Sequence, residues 1–474
     1  MFQINHKKGI LVMTIVPQQN TNEKQILSVI DKFFKDFKIG ALLKQSNFHK
    51  ESGVSCLLVL KYIFKLIFTG KSLFFALDSE YKPDFCKNVV YRLLNSVRYN
   101  WHKFLLLLAS TVIKERIETL TSDDRVNVFI VDDSLYERSR SKEVELLARV
   151  KDHTDGKYKK GFRMLTLGWS DGNTFCPLSF THLSSDDRKN RYCEQMENLD
   201  KRTVGYRNRI NATRKSTDVM IDMLKQALTY VDSARYVLFD SWFCFPGILL
   251  KIMGLGLHTI AMMKSMKTVK YNYQGRRLDL NSLYAAVRKK RGKAKILASV
   301  IVGIGKDEKG NEVSAKVVFV RDRNRRSQWL ALISTDTELD NEEIIRIYGK
   351  RWDIEVFFKM CKSYLKLQKE FQGRSYDCMV AHTTIVFSRY IMLALESRNN
   401  KDLRTWGELF YVCCDELHDI KFIEALQLII NLLKSVLVEK LSLTKQQIDE
   451  LLEHFIVSLP AYFKGKLAKL QWET

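Results

Sequence analysis

The period of the hydrophobic pattern changes twice along this chain, and each change narrows the architectures open to it. From residue 22 to about 120, apolar residues recur at helical spacing, as in QILSVIDKFFKDF, SCLLVLKYIFKLIF and VVYRLLNSVRYNWHKFLLLLASTVI. The pattern then turns to strands. RVNVFIVDD is a β-branched run ending in two acids, and GFRMLTLGW and NTFCPLSFTHL follow it, joined by SDGN, whose Asp-Gly step marks a hairpin. Three sequential antiparallel strands are predicted there. A basic loop from about Lys189 to Lys215, a helix in STDVMIDMLKQALTYV, the strand RYVLFD, a helix in GILLKIMGLG and the strand HTIAMMK then give the alternation that builds parallel strands. From about Lys264 to Gln328 the chain is basic and strand-like, with KKRGKAK before ILASVIVGIG and KVVFVRDRNRR, and reads as an insertion. WLALISTD restores a core strand, and residues 376–474 are helical again, through EALQLIINLLKSVL and IDELLEHFIVSL. The prediction is an α/β domain over residues 121–375 with a β-rich insertion at about 264–328. It lies between a helical N-terminal region, 1–120, and a helical C-terminal region, 376–474. Within the first region, IGALLKQSNFHKESGVSCLLVLKYIF holds two helical pieces around a polar break, a pattern shared by DNA-reading helix-turn-helix units and by any helical hairpin.

Charge points to the partner. Lys and Arg number 77 against 54 Asp and Glu, a net charge of +23 in 474 residues, and such a surplus favours a polyanion. Nucleic acid comes first and an anionic membrane second, because CLLVLKYIF and KFLLLLASTVI fall well short of the roughly 20 apolar residues of a span. The N-terminus, MFQINHKKGILVMTIVPQQ, lacks the long apolar run and small-residue cleavage site of a signal peptide, so the expected compartment is the cytoplasm. Nine cysteines without a Cys-x-x-Cys pair, and scattered histidines such as His153, His182 and His258, are expected to be reduced core residues and structural or surface imidazoles.

The most specific local pattern is NEEIIRIYGKRWDIEVFFKMCKSYLKL. At about 100° per residue, Tyr348, Arg351, Glu355 and Lys362 fall within about 60° on one helix face, while Ile344, Ile347, Ile354 and Phe358 form an apolar stripe that anchors it. A carboxylate can ligate a hard divalent metal, and Lys, Arg and Tyr donate to phosphate oxygens, so the face suits a nucleic-acid backbone undergoing cleavage. A solvated, salt-bridged stripe is the alternative. Further acids end two strands: Asp133, with Asp132 before it, and Asp240 after RYVLFD. An aspartate after a strand is usually a turn or cap residue, yet strand ends of open α/β sheets are also where sites form. Two aspartates and a glutamate from separate elements would meet the demand of phosphodiester chemistry, in which two Mg²⁺ ions about 4 Å apart activate the attacking oxygen and stabilise the leaving one.

These residues closely resemble the DDE transposases of bacterial insertion sequences, in the cut-and-paste group named for a Tyr-Arg-Glu-Lys signature. The match lies in Tyr348, Arg351, Glu355 and Lys362, in VDDS around Asp133, in FDSWF after Asp240 and in RWDIEVFFK, and it spans roughly residues 126–370. The resemblance implies an RNase H-like core interrupted by a β-rich insertion, with Asp133, Asp240 and Glu355 as catalytic metal ligands for two Mg²⁺, Mn²⁺ substituting. It favours Asp133, which precedes Ser134, over Asp132, and the sequence leaves both open. It also implies nicking of the element end, hairpin formation and opening, and strand transfer into target DNA. Tyr348, Arg351 and Lys362 would hold the strand, and Trp329, at the head of WLALIS, would stack on an extruded base. The implied partners are double-stranded DNA, as terminal inverted repeats and target, and a second copy in a homodimeric synaptic complex. The implied setting is the bacterial cytoplasm, at the nucleoid, with DNA-end binding and dimerisation assigned to the flanking helical regions. A transposon-derived DNA-binding protein that no longer cuts, and an RNase H-like nuclease without strand transfer, are the competing readings.

Overall fold

The computed structural model describes residues 2–7, 10–15, 28–79, 82–122, 125–152, 156–289, 294–322, 328–399 and 443–458, with residues 433 and 436–438 besides. The chain forms two compact units, residues 1–36, 68–71 and 408–474 in the first and 37–67 and 72–407 in the second, so the units do not divide at residues 120 or 375. In the first unit, β1 (Phe2–Lys7) pairs antiparallel with β2 (Ile10–Ile15), where the N-terminal region had been expected to be helical. FQINHK and ILVMTI are the β-forming kind of segment, and no helical period runs through them. α1 (Val29–Asp36) starts at Ser28, whose hydroxyl accepts from the Asp31 amide at 3.1 Å. A helix over Lys445–Ser458 packs on β2 and buries Ile448 against Leu437 and Leu443. EALQLIINLLKSVL, Cys413 and Cys414 lie almost wholly outside the described residues.

The second unit opens with α2 (Ile39–Gln45), α3 (Cys56–Leu66), α4 (Leu73–Ala76), α5 (Lys87–Leu94) and α6 (Trp101–Val112). Side-chain caps at Ser55, Ser72 and Asn100 start α3, α4 and α6. Residues 46–55 separate α2 from α3, longer than the three- or four-residue turn of a helix-turn-helix, so this pair is a plain helical hairpin. The sheet follows with β3 (Val128–Glu137), β4 (Ala148–Lys151), β5 (Tyr158–Ser170) and β6 (Phe175–Leu183). β3, β5 and β6 are the expected antiparallel series, with 171–174 as the hairpin turn. Gly172 is required there twice over. Its φ of +90° disfavours a side chain, and a Cβ would approach Lys350 Cε at 3.0 Å.

α7 (Val204–Ala212), inside the expected basic loop, exists because Arg209 is a core residue rather than a surface charge. Its guanidinium donates to Glu145 Oε1 at 2.6 Å, Glu145 Oε2 at 2.7 Å and Asp377 Oδ2 at 2.7 Å, and the three side chains are almost fully buried together. α8 (Ser216–Leu228), β7 (Tyr236–Phe239), α9 (Pro246–Met253) and β8 (His258–Met262) then supply the parallel crossovers β3–β7–β8. The inserted stretch holds β9 (Tyr271–Tyr273), β10 (Arg276–Leu278), α10 (Leu280–Ala286), β11 (Ile296–Lys306) and β12 (Glu312–Arg321), before β13 (Trp329–Ser334). It is no separate module. One eleven-stranded sheet runs β10-β9-β11-β12-β13-β8-β7-β3-β5-β4, with β6 also on β5, so the insertion extends the core sheet edge to edge. Most of the basic runs KKRGKAK and RDRNRR falls outside the described residues.

α11 (Asn341–Gly349), α12 (Trp352–Ser363) and α13 (Tyr376–Asn399) close the unit. α13 packs on α6 and β6. Its stretch Tyr376–Arg398 is long and apolar enough to cross a membrane, and its most apolar part is buried in the protein. The fold is therefore mixed α/β, with one large mixed sheet and helices against it, an arrangement consistent with an RNase H-like core.

Candidate active site

β3 and β7 run parallel with Ile130 beside Leu238. Two residues on come Asp132 and Asp240, near enough that the Asp240 carboxylate acts on Asp132. Asp133 follows on β3, and its carboxylate pairs with Arg163. Asp240 leaves β7 in a tight turn, and its Oδ1 accepts from the Trp242 amide at 2.9 Å. The sequence pointed to Asp133, Asp240 and Glu355; here the Asp240 and Glu355 carboxylates act on Asp132, while Asp133 is bonded to Arg163, whose guanidinium also feels Asp240 and Asp132.

The signature does not lie on one helix. Tyr348 belongs to α11, Arg351 precedes α12, and the backbone tightens between them: Lys350 and Arg351 donate to the carbonyls of Ile347 and Tyr348, three residues back, at 3.1 and 3.0 Å. Gly349 is a weak helix former, but the cause is tertiary. Lys350 Nζ donates to the backbone carbonyls of Val126 and, at 3.2 Å, Asp171, and the Ser170 hydroxyl donates to Asp353 Oδ2 at 2.6 Å. These partners lie in the segment leading into β3, at the end of β5 and in the hairpin turn after it. They hold the kink from either side of Arg351.

From that kink Arg351 reaches two acids. Its Nη1 donates to Asp132 Oδ2 at 2.9 Å and its Nη2 donates to Glu355 Oε1. The Asp132 carboxyl is raised to about 7, chiefly by burial, with Arg351 pulling it down and the nearby Asp240 and Glu355 carboxylates pushing it up. Tyr348 is buried, which raises its phenol, while the adjacent Arg351 lowers it and Asp240 and Asp132 raise it further. Lys362 lies farther along α12. Its Nζ donates to the Ser134 hydroxyl at 2.6 Å, and burial lowers its pKa. It lines a cleft of about 400 Å³ together with Lys151, Lys159, Arg163 and Lys369, among which Asp133 and Asp152 are paired with Arg163 and Lys159.

Trp329 is placed differently from a residue held ready for a base. It stacks on Tyr284 with ring centroids 4.5 Å apart and meets Phe319 edge-on at 5.3 Å. The sequence did not single out Trp242, 39% exposed, with Lys264 Nζ 4.7 Å and the Arg163 guanidinium 5.3 Å from its ring centroid. Its position two residues after Asp240 was the available signal.

Carboxylate oxygens suit a hard divalent cation. Among the described residues no three His, Cys, Asp or Glu side chains stand close enough to hold one as they are placed, and the Arg351 guanidinium bridges Asp132 and Glu355. The donor chemistry fits, and the space between those two carboxylates is taken by a cation of the protein's own.

A family model described as DDE superfamily endonuclease matches residues 87–297. The matched stretch contains β3 and β7, and hence Asp132, Asp133 and Asp240, and ends before the signature helices. It supports a DDE-type nuclease or transposase, a class that generally uses divalent metals. No curated protein matches the chain.

Proposed function

We propose that this chain is a DNA transposase that cuts element ends in a metal-dependent reaction and joins them to target DNA. The observation that carries the reading is the meeting of Asp132, Asp240, Arg351 and Glu355 just past the paired stretch of parallel strands β3 and β7, from segments more than a hundred residues apart. Asp132, Asp240 and Glu355 hold the metal, and Asp132 takes the role that the sequence favoured for Asp133. A divalent cation there would polarise the scissile phosphate and offset charge on the leaving oxygen.

The chain's own residues do the rest. Arg351 and Tyr348 hold the phosphate beside the acids, and Lys362, with the basic cleft behind it, receives the backbone next to the cut. Mg²⁺ or Mn²⁺ would serve, and terminal inverted repeats would be the DNA ends recognised. The helical N-terminal region is assigned to those ends and the C-terminal region to a homodimer.

The test is nicking of duplexes taken from the DNA flanking the gene, with Mg²⁺ or Mn²⁺. Asp132→Asn, Asp240→Asn and Glu355→Gln should each abolish it with DNA binding largely kept. Full nicking by Asp132→Asn together with none by Asp133→Asn would return the first ligand to Asp133. One observation favours the second reading, a nuclease without strand transfer: the Trp329 face is spent on Tyr284. Hairpinned ends in the product mixture would decide for the transposase, and nicked ends alone for the nuclease.

A further inference from the structure

Arg351 is placed unusually for a residue meant only to touch DNA. Both arms of its guanidinium are spent on carboxylates, Nη1 on Asp132 and Nη2 on Glu355, and its side chain is only 17% exposed. Those carboxylates are two of the three groups that would hold the metal. An arginine cannot shed its charge to make way, so it must swing aside. Its backbone cannot follow, because Lys350 and Asp353 pin the kink on either side.

We infer that Arg351 is a built-in counter-ion that keeps the metal site closed in the DNA-free protein, and that a phosphodiester of bound DNA opens the site by drawing the guanidinium away from Asp132 and Glu355. A phosphate offers the fork the same two-oxygen geometry as a carboxylate. Once the fork turns to it, Asp132 and Glu355 lose the cation bonded to them, and a divalent ion is attracted to the freed oxygens. DNA and metal then strengthen each other's binding, reciprocally. In the absence of DNA, metal and Arg351 compete for the same oxygens. The inference rests on the metal-dependent reading above and adds an order of events to it.

Mn²⁺ binding to the full-length protein, read from the paramagnetic signal of the free ion, tests it without requiring cleavage. Wild type alone should bind Mn²⁺ weakly. Arg351→Gln alone should bind it about tenfold more tightly, within the usual range of coupling between sites. A DNA duplex should tighten Mn²⁺ binding by wild type and leave Arg351→Gln unchanged. Equal affinities of wild type and Arg351→Gln without DNA, or equal tightening of both by DNA, would overturn the inference. Arg351→Lys, which keeps the charge and loses the fork, should fall between them if Arg351→Gln proves unstable, and an Arg351→Lys affinity equal to wild type with DNA and without it counts against the inference. Asp132→Asn and Glu355→Gln separate the two claims. If they bind Mn²⁺ as wild type does, the metal site itself is misassigned; if they lose it while Arg351→Gln matches wild type, only the counter-ion role falls.

Discussion

Removing the carboxylate from two adjacent residues of β3 should have opposite consequences. Asp133→Asn strands Arg163, a cation whose side chain is only 22% exposed, and is expected to cost about 1–3 kcal/mol of stability while leaving cutting measurable. Asp132→Asn removes a carboxyl that burial already disfavours in its charged form and leaves Arg351 its bond to Glu355, so it should cost little stability in denaturant titrations while cutting disappears. If Asp133→Asn loses cutting at unchanged stability, the assignment of the two residues is reversed. Trp329→Ala should lose about 1 kcal/mol from its aromatic partners alone, so its nicking must be compared at matched folded fraction. At this scale the sequence was half legible. Asp240 could be singled out from its strand end and Glu355 from its helix-face spacing, but which of Asp132 and Asp133 lies toward them depends on which strand pairs with β3 and in what register, and that is set by contacts between residues 128 and 236.

Among the elements, the kink between α11 and α12 departs most from a periodic reading. A 100° ruler assumes an unbroken helix and is blind to Lys350, whose partners Val126 and Asp171 are far away in sequence. Gly349→Ala should be tolerated or slightly stabilising, since a Cβ there would meet nothing within 4 Å. Lys350→Met should leave the fold intact by circular dichroism and depress nicking, because Arg351 loses its fixed origin. If Gly349→Ala is the damaging change and Lys350→Met the benign one, the kink is a local matter of chain flexibility. The strands β3, β5, β6, β7 and β8 were visible because β-branched runs and the Asp-Gly turn are local signals. The merger of the insertion with the core sheet was not, since pairing of β12 with β13 and of β13 with β8 leaves no mark on composition.

For the whole molecule, the surplus of +23 predicts DNA binding that weakens steeply with salt as counterions are released. An affinity that barely changes from low to physiological salt would exclude a phosphate-dominated interface. Stability should also fall in acid, in two windows. Burial lowers His102 from 6.5 to about 4, so its contribution is complete above pH 6.5 and fades as the pH drops toward 4; His102→Gln should flatten that part of the curve. Burial alone would raise Glu370, but Arg389 at 2.6 Å and His382 outweigh it and hold it at about 2, so its contribution is complete above pH 4.5 and is lost toward pH 2. Denaturation midpoints at pH 7, 5 and 3 for wild type and His102→Gln would expose both slopes, and an identical change between pH 7 and 5 in the two proteins would show that His102 is not held neutral.

The bond between Asp132 and Arg351 joins residues 219 positions apart. On the ribosome, β3 is finished long before the signature helices exist, so a growing chain carries its basic surface for most of its synthesis without the means to cut. Chains that end early would share that condition, able to occupy DNA and unable to break it. Shortened products, from internal starts or stops, would act as blockers of the full-length protein, and the dose of intact chain relative to fragments would set how often DNA is cut.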